Sequence, residues 1–315
     1  MITTLEKWFL MPTFLKNDLC GLSIGKEPIC LAALCLLLAV GCAENRFPAP
    51  EADAQAALQI RATLESVATT QGSQAAAATG TGWGTLTGRF IFAGTSPTPK
   101  ALVIDKDTEV CAKGGMQLVD RSLLVDPSTK GLANVVVFAR KTTRVKEALP
   151  PEAPLMFDQK QCEFMAPVFA ARVGQPIDVH NSDPIGHNTN ISGSSFNQLI
   201  PSGQGTIYKP AAETGLPTMV TCNIHPWMKC YAVFRKDGYV AVSGADGSFT
   251  IPALPAGEAI EFQVWHERAT GPSGALGLEK KELKWSPKGR FQIQLEPDEV
   301  KDIGAIDVPV SAIGI

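Results

Sequence analysis

The side chains best suited to chemistry are gathered in residues 222–228, which read Cys-Asn-Ile-His-Pro-Trp-Met. This short segment carries a thiol at Cys222, an imidazole at His225 and a thioether at Met228. A second imidazole, His187, ends an earlier segment that reads Asn-Ser-Asp-Pro-Ile-Gly-His. Two histidines and a cysteine, with a weakly bound axial methionine, are the ligands of a mononuclear blue-copper electron-transfer centre. The residue types therefore predict a copper site.

Copper that alternates between one and two positive charges needs ligands that suit both states. Soft sulfur suits the reduced ion, and imidazole suits either state. Pro226 and Trp227 would stiffen the short loop that holds three of the ligands. His187 would come from a different strand, so the fold must close the site. A fixed geometry is then the main contribution of the protein.

Both segments resemble those of the cupredoxins, the blue-copper family with amicyanin-like and plastocyanin-like members. The loop Cys-x-x-His-Pro-aromatic-Met is similar to the amicyanin loop, and the stretch before it resembles the family's segment around the first histidine. The resemblance implies one type 1 copper ion, and its ligands would be His187, Cys222, His225 and Met228. It also implies that Asn188 ties the two ligand loops together by hydrogen bonds. Thr221, directly before the cysteine, is expected to support the site in the same way.

Zinc is an alternative to copper, because Cys222, His225 and His187 could bind it as well. A closed structural zinc site would need a fourth strong ligand, and zinc has little use for methionine. Cys230 departs from the resemblance, since a thiol so close to Met228 could compete for metal or form a disulfide. The donor set favours copper over zinc.

The chain contains four histidines, which limits the chemistry it could perform. The copper site would use two of them and leave His180 and His266. These two cannot build the additional histidine-rich sites of multicopper oxidases or copper nitrite reductases. A dinuclear copper centre would need two bridging cysteines on one loop, and only Cys222 fits. The protein is therefore expected to carry electrons and not to be an enzyme.

The resemblance further implies that His225 reaches the surface within an apolar patch and is the exit port for electrons. Trp227 and Pro226 would form part of the surface that docks a redox protein partner, whose identity the sequence does not give. Two alternatives stay open. One is delivery of copper to another protein, and the other is a non-catalytic structural or carbohydrate-binding role at the cell surface.

The N-terminal residues have the pattern of an export signal. Lys7, Lys16 and Lys26 precede an apolar run that ends in Leu-Ala-Val-Gly-Cys, which resembles a bacterial lipobox. The run is shorter than the roughly 20 apolar residues of a membrane span. Residues 1–42 are therefore predicted to be a lipoprotein signal peptide, and Cys42 the lipidated first residue of the mature protein.

Residues 43–82 are rich in Ala, Gln and Thr. They are predicted to form a disordered or helical tether that holds the folded part away from a membrane, facing the periplasm or the cell surface. The formal net charge of −3, from 28 basic and 31 acidic residues, gives no sign of a nucleic-acid-binding surface.

An exported protein meets an oxidising compartment, which favours disulfides. Cys111, Cys162 and Cys230 remain once the signal peptide, the lipid anchor and the copper site have taken the other cysteines. A disulfide between Cys111 and Cys162 is predicted, since both would lie in one sandwich outside the copper loop.

Most of the remaining chain has short apolar runs punctuated by Gly, Pro, Asn and Asp, which indicates an all-β protein. We expect a cupredoxin-type Greek-key sandwich at 83–236, with an N-terminal β extension, and a smaller Ig-like or transthyretin-like sandwich at 237–310. A hairpin-like Asp246-Gly247 turn, followed by an alternating strand at 260–265, resembles the carboxypeptidase regulatory-like module. That resemblance implies a binding or structural role and carries no site residues.

Overall fold

The computed structural model describes residues 81–147 and 150–314. The predicted signal peptide (1–42), the predicted lipidation site Cys42 and almost all of the predicted tether (43–82) lie outside the described residues. Within the described part the protein is all-β, as predicted, because strands provide nearly all of its regular structure.

The strands of the described residues form two groups along the chain. Those of the first half are β1 (Trp83–Phe92), β2 (Val136–Ala139), β3 (Leu155–Lys160), β4 (Glu163–Phe164), β5 (Val168–Arg172), β6 (Ile177–Asn181), β7 (His187–Ile191) and β8 (Asn197–Ile200). Those of the second half are β9 (Gly205–Tyr208), β10 (Thr218–Thr221), β11 (Lys229–Arg235), β12 (Val240–Val242), β13 (Ser248–Pro255), β14 (Ala259–Trp265), β15 (Arg290–Gln294) and β16 (Val300–Val308).

Helical structure is confined to short segments in these ranges. The α-helix α1 (Thr108–Cys111) has four residues. Single 3-10 turns lie at Lys113–Gly115, Pro272–Gly274, Lys281–Leu283 and Val310–Ala312. No helix in residues 81–147 or 150–314 combines the length and the apolar character needed to cross a lipid bilayer.

Strands β3 to β11 form one sandwich, the inner sandwich. One of its sheets has the strand order β5-β11-β10-β7-β8, and the other has the order β4-β3-β6-β9. Side chains alternate along β6, where Ile177 and Val179 are fully buried while Asp178 and His180 are half-buried on the other face. The core is mainly aromatic and β-branched, and includes Phe157, Phe164, Phe169, Ile177, Val179, Ile191, Val220 and Phe234. Burial of one such side chain stabilises the fold by roughly 1.5–3 kcal/mol.

The remaining strands form a second sandwich, the outer sandwich. Its sheets have the orders β13-β1-β16 and β12-β2-β14-β15. Strict alternation along β1 buries every second side chain, among them Leu86, Phe90 and Phe92. This strand runs antiparallel to β13 and parallel to β16, so it is the centre of its sheet.

The hydrogen bonds of β1 and β2 connect them to strands near the C-terminus. Phe138 of β2 pairs with Val240 of β12 on one side and with Gln263 of β14 on the other. In sequence, the inner sandwich therefore lies between two paired strands of the outer one. The predicted division at residue 236 grouped β1 and β2 with the strands next to the predicted ligands, whereas both strands pair with strands beyond residue 236.

The predicted Asp246-Gly247 turn is present, closed by the bond from the N–H of Gly244 to the carbonyl of Ser248 (2.9 Å), but β12 and β13 on either side of it belong to different sheets and do not pair as a hairpin. The turn carries the chain from β12 to β13 across the edge of the outer sandwich. Gly247 has a positive φ of 86°, which glycine adopts without strain. A Cβ atom there would lie 2.1 Å from the carbonyl oxygen of Phe90. The glycine thus permits close passage beside β1, and that passage replaces hairpin pairing.

Candidate metal centre

The four predicted ligands lie at the ends of adjacent strands in one sheet of the inner sandwich. His187 is the first residue of β7, and Cys222 directly follows β10. Met228 directly precedes β11, with His225 in the connecting loop. Because β10 pairs with both β7 and β11, hydrogen bonding of the sheet brings these positions to one edge.

Three donor atoms converge in a buried cluster. The Nδ1 atoms of His187 and His225 are 2.9 Å apart, and Sγ of Cys222 is 3.8 Å from Nδ1 of His225. All three donors lie within 4.8 Å of one another. The two histidines are fully buried, and Cys222 is nearly so. Two nitrogens and one sulfur in this arrangement can bind a metal ion.

The ligand loop is closed by its own backbone. The N–H of Met228 donates to the carbonyl of His225 (2.9 Å), and the N–H of Cys222 donates to the carbonyl of Met228 (3.1 Å). Met228 is buried in the core of the inner sandwich, beside the cluster's own loop. These bonds keep the loop ligands in fixed relation to one another.

The sulfur of Cys222 lies among hydrogen-bond donors. It accepts the backbone N–H of Asn188 (3.3 Å) and that of His225 (3.4 Å). Burial raises the pKa of the Cys222 thiol, but hydrogen bonds from His187 and from these amides outweigh burial and hold the pKa below its usual value. The thiolate, which is the metal-binding form of cysteine, is therefore favoured.

Asn188 joins the two ligand loops. In addition to its backbone bond to Cys222, its Oδ1 accepts the N–H of Asn223 (3.1 Å), and its Nδ2 donates to Asn197 (2.9 Å). Thr221 is the half-buried last residue of β10 and pairs with strands on both sides. Of the two residues expected to support the site, Asn188 therefore bonds to both loops, and Thr221 lies directly before Cys222.

Each histidine also has a carboxylate partner, which the sequence analysis missed. Nε2 of His187 is 2.7 Å from Oδ2 of Asp183, and Nε2 of His225 is 2.8 Å from Oδ2 of Asp107. Histidines that bind metals commonly donate their second N–H to a carboxylate, which fixes the ring and raises its basicity. A signal for Asp183 was present, since it lies one short turn before His187 in the same segment. Asp107 lies 118 residues from His225, and nothing local indicates it.

These contacts assign the protons of the cluster. A carboxylate accepts and does not donate, so Nε2 of each histidine carries a proton and Nδ1 points into the cluster. Burial lowers the pKa of His187, but hydrogen bonds to Asp183 and Cys222 raise it to about 9. Burial and the positive charge of His187 lower the pKa of His225. His187 is therefore charged and donates to neutral His225, and a metal ion that binds here displaces this proton.

The expectation that His225 reaches the surface is wrong, and its role as an exit port for electrons stays a prediction. Its side chain has an exposed fraction of 0%. Asp107 covers the Nε2 edge of the ring, and the centre of the Trp227 ring is 5.1 Å from the centre of the imidazole. The segment that carries Asp107 therefore covers His225, which the family resemblance predicted to be exposed to solvent.

The two residues predicted to dock a partner differ in exposure. Pro226 is exposed, whereas Trp227 is half-buried and packs against the inner core. The indole Nε1–H of Trp227 donates to the carbonyl of Cys162 (3.1 Å). Trp227 is thus fixed in the structure, and its role in docking stays a prediction.

The cysteines outside the cluster have distinct states. Cys111 and Cys162 form a disulfide. Cys230 is a fully buried thiol on β11, opposite Val220 of β10. Burial raises the pKa of Cys230 well above its usual value, so this thiol stays neutral and is poorly suited to bind metal.

Weak structural neighbours of the chain are copper proteins. A mutant of amicyanin in the reduced Cu(I) form at pH 4 matches 29% of this chain over 97% of its own length, with 14% identity and a TM-score of 0.24. Amicyanin from Paracoccus versutus matches 29% of this chain over 96% of its length, with 14% identity and a TM-score of 0.23. A copper-containing nitrite reductase from Thermus scotoductus SA-01 matches 29% of this chain over 24% of its length, with 16% identity and a TM-score of 0.24.

No protein-family model and no curated protein matches the chain. At these low TM-scores the structural similarity carries no argument of its own. The candidate metal centre therefore rests on the chain's own donor atoms, which are two imidazole nitrogens and one thiol sulfur on the ends of neighbouring strands.

Proposed function

We propose that the protein binds one copper ion through His187, Cys222 and His225, that Met228 would be its weak fourth ligand, and that the protein transfers electrons. The observation that carries this proposal is the convergence of three buried donor atoms within 4.8 Å of one another. When bound, copper supplies a one-electron redox couple at this position.

The donor set suits copper better than zinc. A thiolate with two imidazoles suits both oxidation states of copper, and a thioether belongs to the copper set. Structural zinc sites need a fourth strong ligand, for which the nearby candidate is Asp183. Its carboxylate already accepts from His187 and from the backbone amides of Gln161 and Cys162. This carboxylate is therefore engaged in holding a histidine.

The protein's own residues hold the donor atoms still and exclude water. Both imidazoles are buried and each is fixed at Nε2 by a carboxylate. The loop that carries Cys222, His225 and Met228 is closed by two backbone hydrogen bonds. Little has to move when the charge of the site changes by one, which favours electron transfer over chemical conversion of a substrate.

The biological setting is part of the same proposal. We infer a lipoprotein exported through the 1–42 signal and anchored at Cys42, facing the periplasm or the cell surface, with a redox protein as its partner. The proposal includes no enzymatic activity. His180 lies on β6 in the opposite sheet, and His266 follows β14 in the outer sandwich. Of the four histidines, His187 and His225 therefore belong to the donor cluster, and the other two lie outside it.

The test is a titration of the full-length protein with Cu(II), followed by visible absorption and EPR spectroscopy. We expect an intense thiolate-to-copper absorption band that saturates at one equivalent, and its loss in Cys222→Ala. The matched control is Cys230→Ala, which removes the buried thiol on β11 and should keep the band. Tight zinc binding without a copper band, or no metal binding, would overturn the proposal.

A further inference from the structure

We propose that Asp107 is a positioning residue of the metal centre, one that holds the imidazole of His225 in place and covers its Nε2 edge. The inference rests on the proposed copper function. Its basis is a contact between distant parts of the chain, in which Oδ2 of Asp107 lies 2.8 Å from Nε2 of His225.

The contact determines which nitrogen of His225 is available to a metal. Because a carboxylate only accepts hydrogen bonds, Nε2 of His225 must carry the hydrogen, and Nδ1 keeps its lone pair. That Nδ1 faces the donor cluster, 2.9 Å from Nδ1 of His187. Asp107 thereby fixes both the tautomer and the orientation of the ring.

The backbone at Asp107 is held in an uncommon conformation. Its φ is 48°, in the left-handed region, which a residue other than glycine keeps only if its surroundings maintain it. The carbonyl of Asp107 accepts the N–H groups of Val110 (2.9 Å) and Cys111 (2.8 Å), which starts α1. Asp107 is thus held at the start of α1 while its side chain contacts the imidazole.

The segment around Asp107 is attached to the rest of the site at two further points. Nζ of Lys106 donates to the carbonyl of Ile224 in the ligand loop (3.2 Å). Cys111, at the end of α1, is covalently bound to Cys162. These attachments hold the carboxylate over His225 although 45% of the Asp107 side chain is exposed.

The same disulfide lies next to the carboxylate of Asp183, which holds His187. The backbone N–H of Cys162 donates to Oδ2 of Asp183 (2.7 Å), the oxygen that also contacts His187. One cystine therefore lies next to the supports of both histidine ligands. The imidazoles of His225 and His187 are thus each held by a carboxylate, and the disulfide joins the segment of Asp107 to the residue whose N–H donates to Asp183.

The charge of Asp107 also acts on the redox state. A carboxylate hydrogen-bonded to Nε2 of a metal-binding imidazole stabilises the more positive metal ion by charge attraction. Removal of this charge should therefore favour the reduced ion and raise the reduction potential. Loss of the contact should also weaken Cu(II) binding, since such partners of metal-binding histidines typically contribute about 10–100-fold in affinity.

The experiment compares Asp107→Ala and Asp107→Asn with Asp105→Asn in the full-length protein. Asp105 is an exposed carboxylate on the same segment, so its substitution removes the same charge without touching His225. The measurements are Cu(II) affinity by chelator competition, the EPR spectrum, the reduction potential, and solvent exchange of the His225 Nε2 proton by NMR in metal-free protein. Circular dichroism checks that each variant is folded.

We expect Asp107→Ala to weaken Cu(II) binding by about 10-fold or more, to raise the potential, to alter the EPR spectrum and to speed exchange of the Nε2 proton. Asp107→Asn, which keeps an acceptor oxygen, should fall between the wild type and Asp107→Ala. Asp105→Asn should match the wild type. If Asp107→Ala keeps the wild-type affinity, potential and EPR spectrum, the proposal for Asp107 is overturned while copper binding stands. If the wild type itself takes up no copper, the proposed function is overturned and this inference with it.

Discussion

The indole of Trp227 and the carbonyl of Cys162 are joined by a hydrogen bond of 3.1 Å. This bond connects the ligand loop to the cystine. Through its N–H group, Cys162 is also bonded to Asp183, and through its sulfur to Cys111. Cys162, which is outside the predicted ligand set, therefore contacts three parts of the site. These are Asp183, which holds His187; the loop that carries His225; and the segment of Asp107, which covers His225.

The double substitution Cys111→Ala with Cys162→Ala should destabilise the protein and loosen the metal centre. The disulfide closes a loop between residues separated by 51 positions, for which chain entropy gives a loss of about 4 kcal/mol in the free energy of unfolding. Urea unfolding of the metal-free protein measures this loss. Cys230→Ala is the control, since it removes a buried sulfur that is in no disulfide. Equal losses in both proteins would contradict the prediction.

Substitution of Asp183 should impair both stability and metal binding. Its carboxylate accepts two backbone N–H groups and faces His187. Asp183→Ala leaves these donors unpaired, so we expect a loss of about 2–3 kcal/mol in the free energy of unfolding. Cu(II) affinity should fall about 10–100-fold. Asp158→Ala is the matched control, because the Asp158 carboxylate accepts from Ser182 close by and not from His187 or His225. A wild-type copper affinity in Asp183→Ala would count against the assigned role.

Replacement of Trp227 by Phe should separate packing from hydrogen bonding. Phe keeps an aromatic ring next to His225 but cannot donate to the carbonyl of Cys162, so we expect a loss of about 1 kcal/mol in stability. Trp285→Phe is the control in the outer sandwich, where the lost donor bond is to the carbonyl of Leu276. Denaturant unfolding compares the two proteins.

Trp227→Ala should in addition slow electron exchange with the redox partner while the copper absorption band is retained, because the aromatic ring is the predicted docking contact. Stopped-flow kinetics with the partner measure this effect. Unchanged exchange rates would remove Trp227 from the docking surface and leave it with a structural role.

Stability should fall in mild acid because of His266. This residue is buried. Burial and the positive charge of Arg268 together lower the pKa of His266 to about 4. The unfolded chain takes up a proton near the usual histidine pKa of about 6.5. Stability from this group is therefore complete above pH ~6.5 and is lost as the pH falls toward 4, by up to about 3 kcal/mol. Urea unfolding between pH 7 and pH 4 should show a weaker pH dependence in His266→Gln than in the wild type. Parallel curves would contradict the assignment.

The sequence predicts the all-β class and places the four ligand candidates because both depend on local spacing. Alternation of apolar residues along β1 indicates which side chains are buried, and the loop of Cys222 keeps its ligand candidates within a few residues. The pairing of β1 with β13 and β16 has no such local signal, since its partners lie far away in sequence.

The contact of Asp107 with His225 could not be predicted from the sequence, because the two residues lie 118 positions apart. Asp107 reaches the imidazole because a left-handed backbone conformation and a disulfide direct a distant segment onto the ligand loop. Neither property follows from residue type at Asp107. Asp183 is intermediate, since its closeness to His187 in sequence is visible but its contact depends on the turn that contains Cys162.

The insertion of the inner sandwich between β2 and β12 sets an order for biosynthesis. A chain is made from its N-terminus, so β1 and β2 are complete before any of their sheet partners exist. Both sheets of the inner sandwich are complete once residue 235 has been added. Strand β1 thus has no sheet partner until β13 has been synthesised, and its sheet is complete only after β16. The inner sandwich, which carries the candidate metal centre, can therefore assemble before the outer sandwich is complete.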